Sequence, residues 1–165
     1  MHEEIVISGF GGQGVLLAGK LLCIAAMREG KFVSHIPSYG AEMRGGTANC
    51  KVIISDQEIS SPVIDQPTIV IALNTPSMHK FEPKMVEKGL LLYNSSLIPD
   101  KPARTDIQIE SVNANEISEA AGSLRAANMA ALGYLLKLKP EIASMSSLEE
   151  ALDEAISSRN KQHNA

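Results

Sequence analysis

The hydrophobic pattern along the chain alternates between short apolar runs and longer segments of helical period. Residues 5–7 and 68–73 are continuous apolar runs, which are typical of strands buried on both faces of a sheet. Residues 13–28 are apolar nearly all round a helical projection, which predicts a helix buried on most sides. This β-α-β succession predicts a Rossmann-like α/β fold, in which one mostly parallel, open sheet carries helices on both faces.

The pattern departs from strict alternation between the first helix and residue 68. Residues 31–36 predict a second parallel strand, entered by a right-handed crossover and ended by Pro37. Residues 48–64 predict a short hairpin-like excursion, with a strand over 48–55, a turn, and a short second arm over 59–64 that Pro62 interrupts.

The second half of the chain continues the α/β pattern within a single domain spanning residues 1–165. Thr75 is expected to cap a helix whose first residue is Pro76, and Asn115 is expected to cap the next one. We expect the tail 159–165 to be frayed. The remaining predicted elements are strands over 90–94 and 107–112 and helices over 124–138 and 148–158.

A glycine-rich motif separates the first strand from the first helix and has the spacing Gly-x-Gly-x-x-Gly. Its candidate residues are Gly9, Gly11, Gly12, Gln13 and Gly14. Such a loop permits a tight turn, and its N–H groups with the helix N-terminus favour an anion. The dinucleotide fingerprint also requires an acid at the end of the second strand, yet the nearest acid here is Glu42 in the next loop. A nucleotide site, tight strand–helix packing, and a site completed by another subunit all remain open.

A second glycine-rich motif follows the second strand, over residues 37–47. In an open α/β sheet the loops after the strands gather above their carboxyl ends, so we expect it near the first motif. Arg44 has the geometry to bind a carboxylate or a phosphate, and the alternative is that it pairs with Glu42 and only orders the loop. The candidate residues are Ser38, Tyr39, Gly40, Glu42, Arg44, Gly45 and Gly46.

No catalytic or metal-binding arrangement is visible in the sequence. The four histidines are dispersed, and only His35 falls at the carboxyl edge of the predicted sheet, where it is also explained as a strand-end residue. Cys23 and Cys50 belong to no Cys-x-x-Cys pair, and we interpret both as small buried hydrophobic residues. Two isolated thiols cannot supply the four ligands of an iron–sulfur cluster. We therefore predict no catalytic residue, no metal and no cofactor in this chain.

The composition of the chain determines the kind of core and excludes several classes of partner. The core must be aliphatic, since 44% of residues are hydrophobic but only 4% are aromatic. The net charge of −4 and the scattered Lys and Arg residues argue against nucleic acid and against a membrane surface. The acidic N-terminal segment does not resemble a signal peptide, and no apolar run approaches about 20 residues. We expect a cytoplasmic protein.

Four segments together resemble the gamma subunits of 2-oxoacid:ferredoxin (or acceptor) oxidoreductases, the family that acts on pyruvate, 2-oxoglutarate or ketoisovalerate. They are GFGGQGV at 9–15, PSYGAEMRGGTANC at 37–50, ISSP at 59–62 and AANMAALG at 126–133. The resemblance runs from residue 5 to about residue 152, and the two glycine motifs together make it specific. It implies a subunit of an oxidoreductase that decarboxylates a 2-oxoacid with coenzyme A, giving an acyl-CoA, carbon dioxide and reduced ferredoxin.

The resemblance also implies where the cofactors lie. Thiamine diphosphate is held between the alpha and beta subunits, and the iron–sulfur clusters lie in beta and in a ferredoxin-like delta subunit. The implied partners are thus alpha, beta and delta, with ferredoxin reached through the complex, and the isolated gamma chain is inactive. The family motifs fall on all twelve candidate residues, so we expect both loops to face the catalytic subunits and to form the coenzyme A side of the active centre. Likeness along the chain favours 2-oxoglutarate as the substrate.

Three alternatives remain beside this hypothesis. The chain would be a stand-alone nucleotide-binding protein if the loop over 9–14 bound a nucleotide by itself. It would be an assembly module if both loops were inert. It would be the homologous subunit of an indolepyruvate oxidoreductase if the substrate were aromatic. Any apolar surface left uncovered by absent partners would favour a homodimer of the isolated chain.

Overall fold

A computed structural model describes residues 1–11, 13–38, 47–122 and 126–163 of the chain. Strands and helices alternate over residues 2–38 and 69–94, as the hydrophobic pattern predicts. The elements are β1 (His2–Phe10), α1 (Val15–Arg28), β2 (Phe32–Ser38), β3 (Thr47–Ser55), β4 (Ile69–Ala72), α2 (Thr75–Phe81), a 3₁₀ turn (Glu82–Lys84), β5 (Leu90–Asn94), β6 (Gln108–Val112), α3 (Ala114–Ala120), α4 (Ala127–Leu138) and α5 (Met145–His163).

The described strands form one sheet in the order β2-β3-β1-β4-β5-β6. Strands β1, β4, β5 and β6 pair in parallel, whereas β3 pairs antiparallel with both β1 and β2. The prediction of an α/β fold with an open, mostly parallel sheet is confirmed.

The strand predicted over 48–55 is confirmed, but the predicted hairpin-like excursion with a second arm over 59–64 is wrong. Strand β3 has β1 and β2 as its partners, and residues 59–64 form no strand. They lie instead against the sheet, where Ile64 is buried and Ile59 packs against the same apolar cluster. The second strand, β2, runs in the same direction as β1, but β3 separates the two.

The apolar residues of the sheet divide into two cores, one on each face. On the α1 face, Ile5 and Ile7 pack with helices α1, α4 and α5. On the α2 face, Val6 packs with Met78 and Phe81 in a smaller cluster. Helices on both faces of the sheet are thereby confirmed.

Helix starts differ from prediction in their capping residues. The cap of α2 is Asn74, whose Oδ1 accepts a hydrogen bond from the Ser77 N–H at 2.9 Å, and Thr75 is already helical. The N–H of Ala114, at the start of α3, donates to Asn94 Oδ1 at 3.1 Å, so a distant side chain serves in place of Asn115. At the other end of the chain, α5 continues to His163, beyond the expected residue 158.

Pro37 does not end β2 but lies within it, opposite Cys50 of β3. This is possible because β2 is an edge strand, where a missing N–H costs no ladder hydrogen bond. Cys23 and Cys50 are buried, as predicted, and burial raises the pKa of each thiol to about 12. In the described part of the chain, no helix is long and apolar enough to span a membrane.

Candidate functional site

The carboxyl ends of β1 and β4 form the topological switch point of the sheet. From β1 the chain crosses through α1 toward β2, on one side, and from β4 it crosses through α2 toward β5, on the other. Ligands of open α/β proteins bind in the crevice outside such a switch point. The first glycine motif and Asn74 both follow strands that end here.

The Gln13 side chain crosses this crevice and links the two strands. Its Oε1 accepts from the Phe10 N–H at 2.5 Å, and its Nε2 donates to the Leu73 carbonyl at 3.3 Å. The Gln13 N–H also donates to the Phe10 carbonyl at 3.2 Å, which closes a tight turn. We call this arrangement the Gln13 clip. It uses groups that a nucleotide phosphate would otherwise engage.

The Gln13 clip requires a glycine at position 9, and the neighbouring Asn128 requires a glycine at position 14. A Cβ on Gly9 would overlap Gln13 Oε1 and would lie 3.0 Å from the Leu73 Cβ. Gly14 has φ of 72°, and a Cβ there would lie 2.5 Å from Asn128 Nδ2. Glycine at these positions therefore permits close packing.

Asn128 joins the glycine loop to α4. Its Nδ2 donates to the Gly14 carbonyl at 3.1 Å, and that carbonyl also accepts from the Ala18 N–H of α1. Asn128 was not among the predicted site residues. Its signal was present, however, in the segment at 126–133 that carries the family resemblance.

A buried polar cluster lies beneath the crevice on the α2 face. Ser8 Oγ donates to Ser77 Oγ at 2.8 Å, and the Ser77 N–H donates to Asn74 Oδ1. Asn74 is 1% exposed, and its Nδ2 has no hydrogen-bond partner among the described residues. The sequence gives no sign of this cluster, because single Ser and Asn residues after strands are common in loops and caps.

The second motif begins and ends at the same edge of the sheet as the first. Ser38 pairs with Asn49, and Thr47 pairs with Phe10 at the end of β1. The expected closeness of the two motifs is therefore confirmed for these ends. Several predicted site residues lie outside the described residues: Gly12, Tyr39, Gly40, Glu42, Arg44, Gly45 and Gly46.

The tip of the first loop is exposed. Phe10 is 42% exposed despite its large apolar ring, and Gly11 beside it is also exposed. Gln13 hydrogen-bonds both backbone groups of Phe10, the residue that carries the exposed ring. An exposed, partly apolar tip of this kind is suited to contact another protein.

His35 lies under α1 and not in the crevice. A Cβ on Gly19 would lie 3.0 Å from its Nε2, which is buried and has no hydrogen-bond partner among the described residues. Burial and the charge of Lys20 lower the pKa of His35 below its usual value of 6.5. The packing favours the interpretation of His35 as a strand residue of the α1 face.

The described residues offer little chemistry of their own. Both thiols are buried with raised pKa values, and no group of three His, Cys, Asp or Glu side chains in the described part of the chain is arranged to hold a metal ion. The fold and the first glycine loop together define an α/β protein in which Gln13 closes the crevice at the switch point and Phe10 and Gly11 form an exposed tip.

Comparison with known proteins identifies the family. Residues 4–165 match the sequence model of the pyruvate ferredoxin/flavodoxin oxidoreductases. The chain is 38% identical over 158 residues to the ketoisovalerate oxidoreductase subunit VorA of Methanothermobacter marburgensis. The aligned region covers 96% of this chain and 33% of VorA. It is 33% identical over 167 residues to the 2-oxoglutarate synthase subunit KorC of Methanocaldococcus jannaschii, covering 99% of this chain and 89% of KorC.

A solved structure agrees with these relatives. The gamma subunit of a keto/oxoacid ferredoxin oxidoreductase from Geobacter sulfurreducens superposes with a TM-score of 0.78 at 33% identity, covering 91% of this chain and 84% of that one. The chain thus spans about a third of the length of VorA but most of the length of KorC and of this gamma subunit. The chain belongs to the pyruvate ferredoxin/flavodoxin oxidoreductase family, and the resemblance found in its motifs is confirmed.

Proposed function

We propose that the chain, as one domain over residues 1–165, is the gamma subunit of a multi-subunit 2-oxoacid:ferredoxin oxidoreductase. The observation that carries this proposal is similarity over nearly the full length of both KorC and the Geobacter sulfurreducens gamma subunit. The assembly performs coenzyme A-dependent oxidative decarboxylation of a 2-oxoacid in the cytoplasm, and the isolated chain is inactive.

The Gln13 clip supports a subunit role over a stand-alone nucleotide-binding role. A dinucleotide site needs free loop N–H groups and an acid at the end of the second strand. Here the Phe10 N–H is already bonded to Gln13, and β2 ends at Ser38 with no acid. In this proposal the first motif presents its exposed tip to a partner subunit and binds no nucleotide of its own.

In this proposal both glycine motifs face the catalytic subunits and contribute to the coenzyme A side of the active centre. The shared edge of the two motifs and the exposed Phe10 and Gly11 support it. The substrate carbonyl is processed elsewhere, on thiamine diphosphate held by the alpha and beta subunits. The loops help to bind and orient coenzyme A, and they exclude water from one side of the active centre.

The cofactors of the assembly belong to its other subunits. Cys23 on α1 and Cys50 on β3 are both buried between this helix and the sheet, and two such thiols do not fit a cluster that requires four ligands. The iron–sulfur clusters are therefore assigned to the beta and ferredoxin-like delta subunits, through which electrons reach ferredoxin.

We propose 2-oxoglutarate as the substrate of the assembly. The similarity to KorC extends along most of both chains, whereas VorA is matched over a third of its length. The alternatives are a branched-chain 2-oxoacid and indolepyruvate. The residues that select the substrate side chain are expected on the alpha and beta subunits.

The decisive test is a native purification with an affinity tag on this chain. The eluate is assayed for coenzyme A-dependent viologen reduction with 2-oxoglutarate, 2-ketoisovalerate, pyruvate and indolepyruvate. Co-elution of thiamine- and iron-containing subunits with activity on one acid supports the proposal and identifies the substrate. A chain that elutes without partners and binds NAD(H), FAD or ATP tightly overturns it in favour of the stand-alone reading.

A further inference from the structure

The two edge strands of the sheet differ in charge. Strand β6 ends the sheet on one side and carries Glu110. Strand β2 ends it on the other side, and its residues 32–38 include no Asp, Glu, Lys or Arg. A free edge is commonly protected by a charged residue or covered by another chain. Strand β2 lacks the charge, so its outer edge is the one open to another strand.

The backbone of β2 presents hydrogen-bonding groups on this outer side. Within a regular ladder, proline is confined to positions whose nitrogen points away from the neighbouring strand, and Pro37 lies opposite Cys50 of β3. Backbone groups alternate in direction along a strand, so those of Val33 and His35 point outward with the nitrogen of Pro37. No described strand pairs with β2 on that side. The centre of β2 can therefore pair with another strand, whereas its Pro37 end lacks a donor.

The side chains of β2 are arranged symmetrically about Ser34. Ser34 pairs with Ile53 of the α2-face core, so Phe32 and Ile36, two residues away on either side, share the α2 face. Phe32 is 45% exposed and Ile36 is 42% exposed. An antiparallel strand of the same sequence, centred on Ser34, would place Phe32 of each copy opposite Ile36 of the other.

Helix α1 adds apolar surface beside the same edge. Cys23 Sγ lies 4.0 Å from the Ser34 carbonyl oxygen, so Cys23 marks the side of α1 that faces β2. Leu16, Lys20 and Met27 share this side because their spacing from Cys23 follows the helical repeat. Met27 is 52% exposed and Leu16 is half-buried. The long stem of Lys20 keeps its ammonium group in solvent, so the strip is apolar near the sheet.

We propose that the outer edge of β2 pairs antiparallel with the same edge of a second copy of this chain, about a two-fold axis at Ser34. Val33 of one copy and His35 of the other exchange both backbone hydrogen bonds. Phe32 packs on Ile36 in each of the two symmetric pairs. A two-fold interface must be complementary to itself, and an identical antiparallel strand repeats the pattern about Ser34 in reverse.

Charge also favours a second copy as the occupant of this edge. Each copy has a net charge of −4, yet the paired strands bring no like charges together because residues 32–38 carry none. The dimer leaves the exposed loop tip at the carboxyl end of β1 uncovered, since β2 pairs through its lateral edge. The proposal therefore goes beyond the gamma-subunit assignment and does not depend on it.

The test measures the oligomeric state of the whole chain by sedimentation equilibrium from about 1 to 100 μM, a range suited to a small interface. We expect the wild type to be dimeric at the upper end of this range. Ile36→Lys places a charge in both symmetric pairs and should raise the dissociation constant by about tenfold or more. Ile109→Lys is the matched control, because Ile109 is 38% exposed on the α2 face of the other edge strand. It should change the dissociation constant by less than about threefold.

Two further variants test the register. Phe32→Glu with Ile36→Lys places opposite charges in each symmetric pair, so the double variant should dimerise more tightly than either single variant, and less so at high salt. Ser34→Cys should form a disulfide between copies under mild oxidation, because directly opposed residues in a non-hydrogen-bonded pair have Cα atoms about 4.5 Å apart. The native thiols are buried, and Ser111→Cys, at an exposed position on β6, is the control that should not cross-link.

The proposal is overturned if the wild type remains monomeric at the highest concentration, or if Ile36→Lys and Ile109→Lys weaken the dimer equally. It is also overturned if Ser34→Cys cross-links no faster than Ser111→Cys. Thermal unfolding of each variant checks folding, and the Ser34→Cys comparison decides the matter if the charged variants are unstable. A monomeric chain whose Ile36→Lys variant loses other subunits in the tagged purification would show that β2 pairs with a different protein. Absence of those subunits with the wild type rejects the gamma-subunit role and leaves the dimer untouched.

Discussion

The crevice between β1 and β4 and the buried polar cluster beneath it differ in how far their polar groups are hydrogen-bonded. In the crevice, the Gln13 carboxamide satisfies both the Phe10 N–H and the Leu73 carbonyl. In the cluster, Asn74 Oδ1 accepts from the Ser77 N–H, but Asn74 Nδ2 has no hydrogen-bond partner among the described residues. The conspicuous glycine motif is thus closed by the chain itself, whereas the less conspicuous Asn74 keeps an unsatisfied donor.

The function of a glycine-rich loop after a strand is therefore ambiguous until the acceptors of its backbone N–H groups are known. The same spacing permits a phosphate to approach, and it equally permits a side chain of the same loop to do so. Here Gly9 makes room for Gln13 and Gly14 makes room for Asn128. Variants that alter this packing test the comparison directly.

The largest effect is expected for Gly14→Ala. Its Cβ would combine the strain of φ 72° with a 2.5 Å approach to Asn128 Nδ2, so we expect a loss of about 2–4 kcal/mol in the free energy of unfolding. Gly30→Ala is the matched control, because Gly30 has φ of 81° but no atom within 4 Å of the added Cβ. Urea denaturation measures both, and equal losses would show that the Asn128 contact has no role.

A smaller effect is expected for Gln13→Ala. It removes the hydrogen bonds to Phe10 and Leu73, which we expect to cost about 1–2 kcal/mol of unfolding free energy. Hydrogen exchange of the Phe10 amide should accelerate, since its acceptor is lost. If the Phe10 amide exchanged at the same rate in Gln13→Ala and in the wild-type chain, the Gln13 clip would be contradicted. The loop N–H groups would then be available to a nucleotide.

The sequence predicts the secondary structure correctly wherever the spacing of apolar residues alone determines it. The helix of 13–28, the buried strand at 68–73 and the two faces of the sheet all follow from apolar spacing. The pairing of β3 could not be obtained in this way, because alternation along 48–55 does not specify which strands lie beside it. The second arm over 59–64 is predicted wrongly because Ile59 and Ile64, which pack against the sheet from a loop, have the same spacing in sequence as residues of a short strand.

The site is less predictable than the fold. Sequence motifs located Gly9 and Gly14 at the switch point, yet they could not show that Gln13 closes the crevice, since this depends on contacts with Leu73, 60 residues away. Asn74, Ser77 and Asn128 gain their roles only through packing of α2 and α4.

The smallest effect, on the pH dependence of stability, is expected from His35, which packs against α1 and not in the crevice. Its folded-state pKa is lowered, so the unfolded chain binds a proton below about pH 6.5 that the folded chain resists. Its contribution to stability is therefore complete above pH 6.5 and declines as the pH falls. The difference in unfolding free energy between wild type and His35→Gln, measured by urea denaturation from pH 8 to 5, should shift in favour of the variant on acidification. A difference that stays constant with pH would contradict the packing described for His35.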